Sequence, residues 1–211
     1  MNATPPALNA DERDALLGIA VDTIGYALAT GVAHVPEDVG VEHRALRVPG
    51  APFVTHERNQ RLLGCVGTLE ARQPLAAAVA HHALAAAFAD PRVPPITIDD
   101  FVAMTVKVSV LSRTEPLAAS SVADVVAGVR PGIDGLVLDA RGRGATLLPS
   151  VWAQLGEPDE FLDALWCKAG LSPGAWPQGT RVLRYTTTEF SSAGPRSLPT
   201  GAPSVAGLAT H

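Results

Sequence analysis

The sequence predicts an α+β fold whose mainly antiparallel sheet is built from hairpins and packed by helices. Three observations predict it. From Thr105 to Leu111 apolar and polar residues alternate, with Val106, Val108 and Val110 on one face and Lys107 and Ser109 on the other, the pattern of a half-buried strand. Two strand pairs are joined by connections too short for a parallel crossover, around Glu57-Arg58-Asn59-Gln60 and around Arg141-Gly142-Arg143-Gly144. Between them lies an alanine-rich helical stretch from Pro74 to about Ala89. Two subdomains sharing one core are compatible with this order of elements.

Along the chain, a helix is expected from Asp11 to Thr30. Asp11 and Glu12 favour its N-terminus, and Leu16, Ile19, Ala20, Ile24, Ala27 and Leu28 form its apolar stripe. Gly31 is its stop. Residues 32–50 read as irregular. The first hairpin pairs Phe53 to Thr55 with Arg61 to Val66. Thr97-Ile98-Asp99-Asp100 resembles a capping arrangement for a short helical turn. The second hairpin pairs Gly135 to Asp139 with Ala145 to Leu148. Short helices opening at Pro149 and Pro158 follow, the latter closed by Gly170, and Arg181 to Thr187 reads as a final strand. The domain is expected to span 11–190. From Ser191 the composition turns to Ser, Gly, Pro and Ala, and 191–211 is expected to be a disordered tail.

Bulk properties restrict the class. The 211 residues are 47% hydrophobic but only 5% aromatic, which favours close-packed, alanine-rich helices. A net charge of −5 provides no basic surface in bulk and argues against an RNA-binding module, as does the lack of a clustered basic-aromatic strand pattern. The first 30 residues have no positive region followed by an apolar core, and no run approaches the ~20 apolar residues of a membrane span. A cytoplasmic location is expected. Cys65 and Cys167 lie far apart with no CxxC spacing, so neither structural zinc nor a disulfide framework is suggested.

The segment Leu62-Leu63-Gly64-Cys65-Val66-Gly67-Thr68-Leu69 concentrates the candidate chemistry. A cysteine between two glycines on an apolar strand is either a reactive thiolate in a thin-walled cleft or a small buried hydrophobe. As a nucleophile it needs a nearby base or cation, and His56, His82 and Arg92 are the candidates. Asp90-Pro91-Arg92 either places a carboxylate and a guanidinium at a cleft rim or staples a helix end. On a regular strand Arg61, Leu63 and Cys65 share a face. The candidate site therefore comprises Cys65 as catalytic residue and Arg61, Gly64, Gly67, His82, Asp90 and Arg92 as ligand-binding residues, with no metal site. His81 and His82 diverge by ~100° on a helix and do not chelate together. The Arg141–Gly144 stretch joins two strands and lacks P-loop geometry. Trp152, Trp166 and Trp176 are expected to pack short helices on the sheet.

These segments together resemble the AMMECR domain family, in its prokaryotic AmmeMemoRadiSam type. The family hallmark Leu-Arg-Gly-Cys-Ile-Gly reads Leu62-Leu63-Gly64-Cys65-Val66-Gly67 here. Further matches are Ala86-Ala87-Phe88 with Asp90-Pro91-Arg92, Val108-Ser109-Val110-Leu111, Gly135-Leu136-Val137-Leu138, Ala145-Thr146-Leu147-Leu148-Pro149 and Lys168-Ala169-Gly170-Leu171. Two departures stand out: Leu63 replaces the hallmark arginine, and Val93 follows Asp-Pro-Arg in place of the usual phenylalanine. The resemblance implies no established reaction and no defined cofactor. It implies an accessory or binding component acting with a Memo-type, dioxygenase-like protein and a radical SAM enzyme in a modification pathway. The alternative is an enzyme whose cleft at Cys65 performs cysteine-dependent acyl or group transfer.

Overall fold

The computed structural model describes residues 8–199. The chain divides into two compact units. Unit 1 contains residues up to Leu111 and from Glu189 onward; unit 2 runs from Ser112 to Thr188. Each unit has its own hydrophobic core, so the two subdomains do not share one. The α+β class holds in both.

Unit 1 opens with α1 (Ala10–Thr30). Asn9 caps it: its side chain accepts from the Glu12 N–H at 2.9 Å, and the Glu12 carboxylate accepts from the Asn9 N–H at 2.9 Å. Gly31, at φ 73°, closes it as expected. Leu16, Leu17, Ala20 and Ile24 are buried along one side. A 3-10 turn (Arg44–Arg47) and two two-residue strands, β1 (Pro49–Gly50) and β4 (Gln73–Pro74), bracket the first hairpin, β2 (Pro52–Arg58) and β3 (Arg61–Gly67). The hairpin turn is two residues long, Asn59 and Gln60, both at positive φ, the left-handed pair that matches strand twist. Next come α2 (Leu75–Phe88), α3 (Ile98–Ala103) and β5 (Thr105–Leu111). Pro74 precedes α2 rather than opening it, and the expected capping box forms between Thr97 and Asp100.

Unit 2 holds β6 (Glu115–Leu117), α4 (Val122–Gly128), β7 (Gly135–Ala140), β8 (Arg143–Leu147), a 3-10 turn (Pro149–Ala153), α5 (Pro158–Lys168) and β9 (Arg181–Tyr185). Its antiparallel sheet has the order β6-β9-β7-β8. Trp152 stacks on Phe161 with ring centroids 3.9 Å apart, and Trp166 lies 6.1 Å from Trp176, so the tryptophans pack the short helices as expected.

The last strand, β10 (Thr187–Ala193), joins the unit 1 sheet in the order β10-β5-β2-β3. This corrects the expected start of the tail. β10 continues through Ala193, the Gly194 N–H donates to the Met104 carbonyl at 3.1 Å, and the Arg196 N–H donates to the Val102 carbonyl at 3.1 Å. Residues 191–196 are held by pairing with β5 and by backbone bonds to the C-terminal end of α3, which a composition argument does not register. The rest of the expected tail, 200–211, lies outside the described residues.

Helix α2 lies directly on β2 and β3. Ala76, Ala80 and Ala83 are fully buried, and their small side chains bring the helix backbone close to the sheet. At Gly64 the approach is closest: a Cβ there would overlap the Ala86 carbonyl oxygen. Backbone cannot move aside as a side-chain tip can. Gly64→Ala is therefore expected to cost about 3–5 kcal/mol, the range of severe core disruptions, or to abolish folding. Urea unfolding of the variant measures it.

Candidate functional site

The site is built on the face of the unit 1 sheet opposite α2. Val54 and His56 of β2 and Val106 and Val108 of β5 are fully buried. The odd-numbered residues of these two strands form three cross-strand rows with their β3 partners. Leu62, Glu57 and Thr105 make one row, Cys65, Thr55 and Lys107 the central one, and Gly67, Phe53 and Ser109 the third. Strand periodicity alone predicts a different set. The register shifts between His56 and Glu57, so that His56 pairs with Gly64 and Glu57 with Leu62, leaving Leu63 as the extra residue of a bulge. The bulge reverses the alternation. Leu62, 39% exposed, shares the face of Cys65, whereas Leu63 is buried in the core.

The expectation that Arg61 and Leu63 flank Cys65 is thereby corrected. Arg61 pairs across the hairpin with Arg58, and both guanidiniums approach Asp100 of α3, at 3.6 and 3.3 Å.

Cys65 is held from three sides. Its N–H donates to Asp90 Oδ2 at 2.9 Å, its carbonyl accepts from Arg92 Nη2 at 2.7 Å, and Thr55 Oγ1 donates to Sγ at 3.2 Å. β3 is the outer strand of its sheet, so the Cys65 backbone groups have no further strand to pair with. Asp90 and Arg92 take that place. They also bind each other: Arg92 Nη2 reaches Asp90 Oδ2 at 2.6 Å, and Nε reaches Oδ1 at 2.9 Å. The Arg92 N–H adds a third bond to Oδ1 at 3.1 Å. The side-chain bonds from Arg92, reinforced by the Cys65 and Arg92 backbone N–H groups, hold the Asp90 carboxyl well below the usual carboxylate range against its burial.

Beside Cys65 the face is polar. Lys107 Nζ lies 3.7 Å from both Glu57 and Glu189, and Ser109 Oγ donates to Glu189 at 2.8 Å. Phe53 walls one end, and Gly67 leaves room for its ring, which a Cβ would overlap. Both glycines of the hallmark thus have packing partners, the Phe53 ring for Gly67 and the Ala86 carbonyl for Gly64.

The histidines do not join the site. His56 is fully buried on the opposite face, where Nε2 lies 3.1 Å from the Ala83 carbonyl and Nδ1 has no partner among the described residues. Burial lowers its pKa to about 4, with Arg196 adding to the effect and the Ala83 bond opposing it. His82 is half-buried on α2, its pKa lowered by burial first and by His81 second, and among the described residues no hydrogen bond links it to Cys65. Cys65 and Cys167 are both free thiols. Among the described residues no group of three or more His, Cys, Asp or Glu side chains is placed to hold a metal ion, and no helix is long and apolar enough to cross a membrane.

Sequence reasoning thus located Cys65, Asp90 and Arg92, which the fold brings together. It missed Thr55, Lys107, Glu57 and Glu189. The alternation of Lys107 and Ser109 on β5 was the available signal. Glu189 carried none, because its place depends on a pairing about 80 positions away in sequence, between β10 and β5.

The architecture defines a two-unit α+β protein with a cysteine fixed on an outer strand by an Asp–Arg pair. The AMMECR1 family model matches residues 17–190. A protein of Methanothermobacter thermautotrophicus is 38% identical over 144 residues, covering 67% of this chain and 75% of that protein. One of Thermofilum pendens is 35% identical over 72% of this chain and 77% of its own length. The crystal structure of the uncharacterized protein PH0010 from Pyrococcus horikoshii superimposes with a TM-score of 0.76 at 30% identity, covering 85% of this chain and 91% of that one. The chain belongs to the AMMECR1 family.

Two outcomes test this geometry. Leu63→Arg, which restores the hallmark residue, places a cation in the apolar core and should cost about 3–5 kcal/mol in a urea melt. His56 governs an acid transition. Unfolded, its imidazole titrates near 6.5, and folded at about 4, so the unfolded state takes up the proton first as pH falls. Stability should therefore decline between those values by about 3 kcal/mol, and His56→Gln should flatten that part of the pH–stability curve.

Proposed function

We propose that the protein is a binding component of a modification pathway, acting with a Memo-type, dioxygenase-like protein and a radical SAM enzyme, and that the polar face around Cys65 holds its ligand. The partner set rests on the AMMECR resemblance. The binding role rests on one observation: Cys65 is immobilised by Asp90, Arg92 and Thr55, and among the described residues no side-chain base is hydrogen-bonded to its thiol, Lys107 being engaged by Glu57 and Glu189. A cysteine nucleophile needs a neighbouring base or a cation to supply thiolate at neutral pH. The nearest imidazole in sequence, His56, is neutral and on the other side of the sheet. The Arg92 guanidinium already serves Asp90 and the Cys65 carbonyl. Glu57, Lys107 and Glu189 supply donors and acceptors beside the thiol, in the manner of a recognition surface.

One observation favours the second reading, cysteine-dependent acyl or group transfer. Arg92 is held in its charged form first by Asp90 and, more weakly, by Cys65 itself, so a cation stands within influence of the thiol. Two measurements separate the readings. Under the binding role Cys65 alkylates with iodoacetamide at pH 7 no faster than the exposed Cys167, and Cys65→Ser still captures Memo-type and radical SAM proteins from the native cell. Alkylation of Cys65 at least about tenfold faster than Cys167 would favour the transfer reading. Failure to recover either partner class with the unmodified protein would refute the partner assignment.

A further inference from the structure

Glu189 reaches the Cys65 face on β10, and β10 has little of its own to fix it there. The strand reads Thr187-Thr188-Glu189-Phe190-Ser191-Ser192-Ala193, with Phe190 its one large apolar side chain, packed against the unit 1 core. It lies at the edge of its sheet and pairs with β5 alone. Strands of such composition specify their register weakly. Phe190 selects the face, because a one-residue slip would turn it away from the core. A two-residue slip keeps Phe190 on the core side, yet moves Glu189 about 7 Å along β5 and away from Ser109.

The bonded pairs show where that choice is made. At the start of β10 the Ser112 N–H donates to the Thr186 carbonyl at 2.8 Å, and the Thr186 N–H donates to Ser112 Oγ at 3.0 Å. Ser109 then meets Glu189. Past the end of β10 the Gly194 N–H meets the Met104 carbonyl, and the Arg196 N–H meets the Val102 carbonyl. Equal steps in opposite directions connect these four pairs, so one antiparallel register runs from Ser112 to Val102. Arg196 closes its far end. Nη2 donates to the Ser192 carbonyl at 2.9 Å, and the guanidinium lies 5.7 Å from the centroid of the buried Phe101 ring. We infer, on the reading that the Cys65 face binds a ligand, that Arg196 is a positioning residue for that face: it ties the end of β10 to α3, locks the register, and so keeps Glu189 beside Lys107 and Ser109.

Stability alone does not account for an arginine in this place. Nη1 is buried with no partner among the described residues, and a guanidinium left half satisfied costs free energy. A methionine would cover Phe101 without that cost. What the guanidinium adds is a connection: one group holds both the Ser192 carbonyl of β10 and the Phe101 ring of α3. A two-residue slip would carry it off that ring. Polar groups in coiled-coil interfaces likewise fix a register at a cost in stability.

The test is solution NMR of the full chain, read at the backbone amide signals of Lys107 and Ser109. Glu189→Gln sets the reference displacement of both. Arg196→Met should displace them in the same directions by at least about half as much, and combining it with Glu189→Gln should add little to Glu189→Gln alone. Arg196→Met should also unfold in urea at no lower a concentration than the unmodified chain, since the buried unpartnered nitrogen is gone. A merely structural anchor would do the reverse, lowering the urea midpoint and leaving both signals in place. Gly194→Ala provides a second arm. A Cβ there would overlap the Val102 carbonyl, so the segment must lift with Arg196 itself unchanged, and the same displacements are expected. Unmoved Lys107 and Ser109 signals in Arg196→Met or in Gly194→Ala, or displacements that sum in the double variant, would overturn the inference. None of these readouts involves a ligand or a partner, so their failure leaves the binding role standing, and failure of the alkylation and capture tests leaves the register lock standing.

Discussion

The bond between the Asp90 carboxylate and the Arg92 guanidinium governs the arrangement around Cys65. The Asp90 side chain is 2% exposed, and a carboxylate so placed survives as an ion only with several donors around it. It has four: two guanidinium nitrogens and two backbone N–H groups. One of those N–H groups belongs to Cys65, and the same guanidinium returns a bond to the Cys65 carbonyl. A charged pair at the end of a helix thereby substitutes for the missing neighbour of an outer strand. It satisfies that strand's backbone at one residue and blocks it from pairing with another chain there. Of the two roles the sequence offered for Asp90-Pro91-Arg92, the bonds are those of a staple that joins the end of α2 to β3.

The position of that pair depends in turn on how closely α2 approaches the sheet. Alanine on the helix and glycine on the strand allow the Ala86 carbonyl to come against Gly64. Asp90 follows the helix end by two residues, so the depth of the helix decides whether its carboxylate reaches the Cys65 N–H. The bulge at Leu63 completes the arrangement. It lets β3 direct Leu63 into the core and Cys65 to the opposite face although the two are separated by one residue. For an AMMECR1 chain with leucine in the hallmark arginine position this is a favourable accommodation, since the side chain fills core volume and needs no counter-ion.

The two faces of the unit 1 sheet have different chemistry. Towards α2 it is apolar, with His56 as a neutral, buried exception. On the Cys65 side a threonine bonds the thiol, and a lysine between two glutamates and a serine lie on the same face. Ion pairs of half-exposed groups contribute little to stability.

Much of this was legible in the sequence, because it depends on local periodicity and on turn and cap chemistry. The alternation of β5, the stop at Gly31, the Thr97 capping box, the alanine-rich helix and both hairpins are short-range consequences of side-chain size and backbone freedom. The identity of Cys65, Asp90 and Arg92 as one cluster was legible as a set of candidates. What the tertiary structure decided was direction and company. A bulge, which leaves no clear mark in composition, reversed which of Leu62 and Leu63 joins Cys65. The same sheet placed His56 out of reach of the thiol. Pairing of β10 with β5 brought Glu189 to Lys107 and ordered residues that look like tail. Each of these outcomes follows from contacts between segments far apart in the chain, whose energies exist only once the backbone has closed on itself.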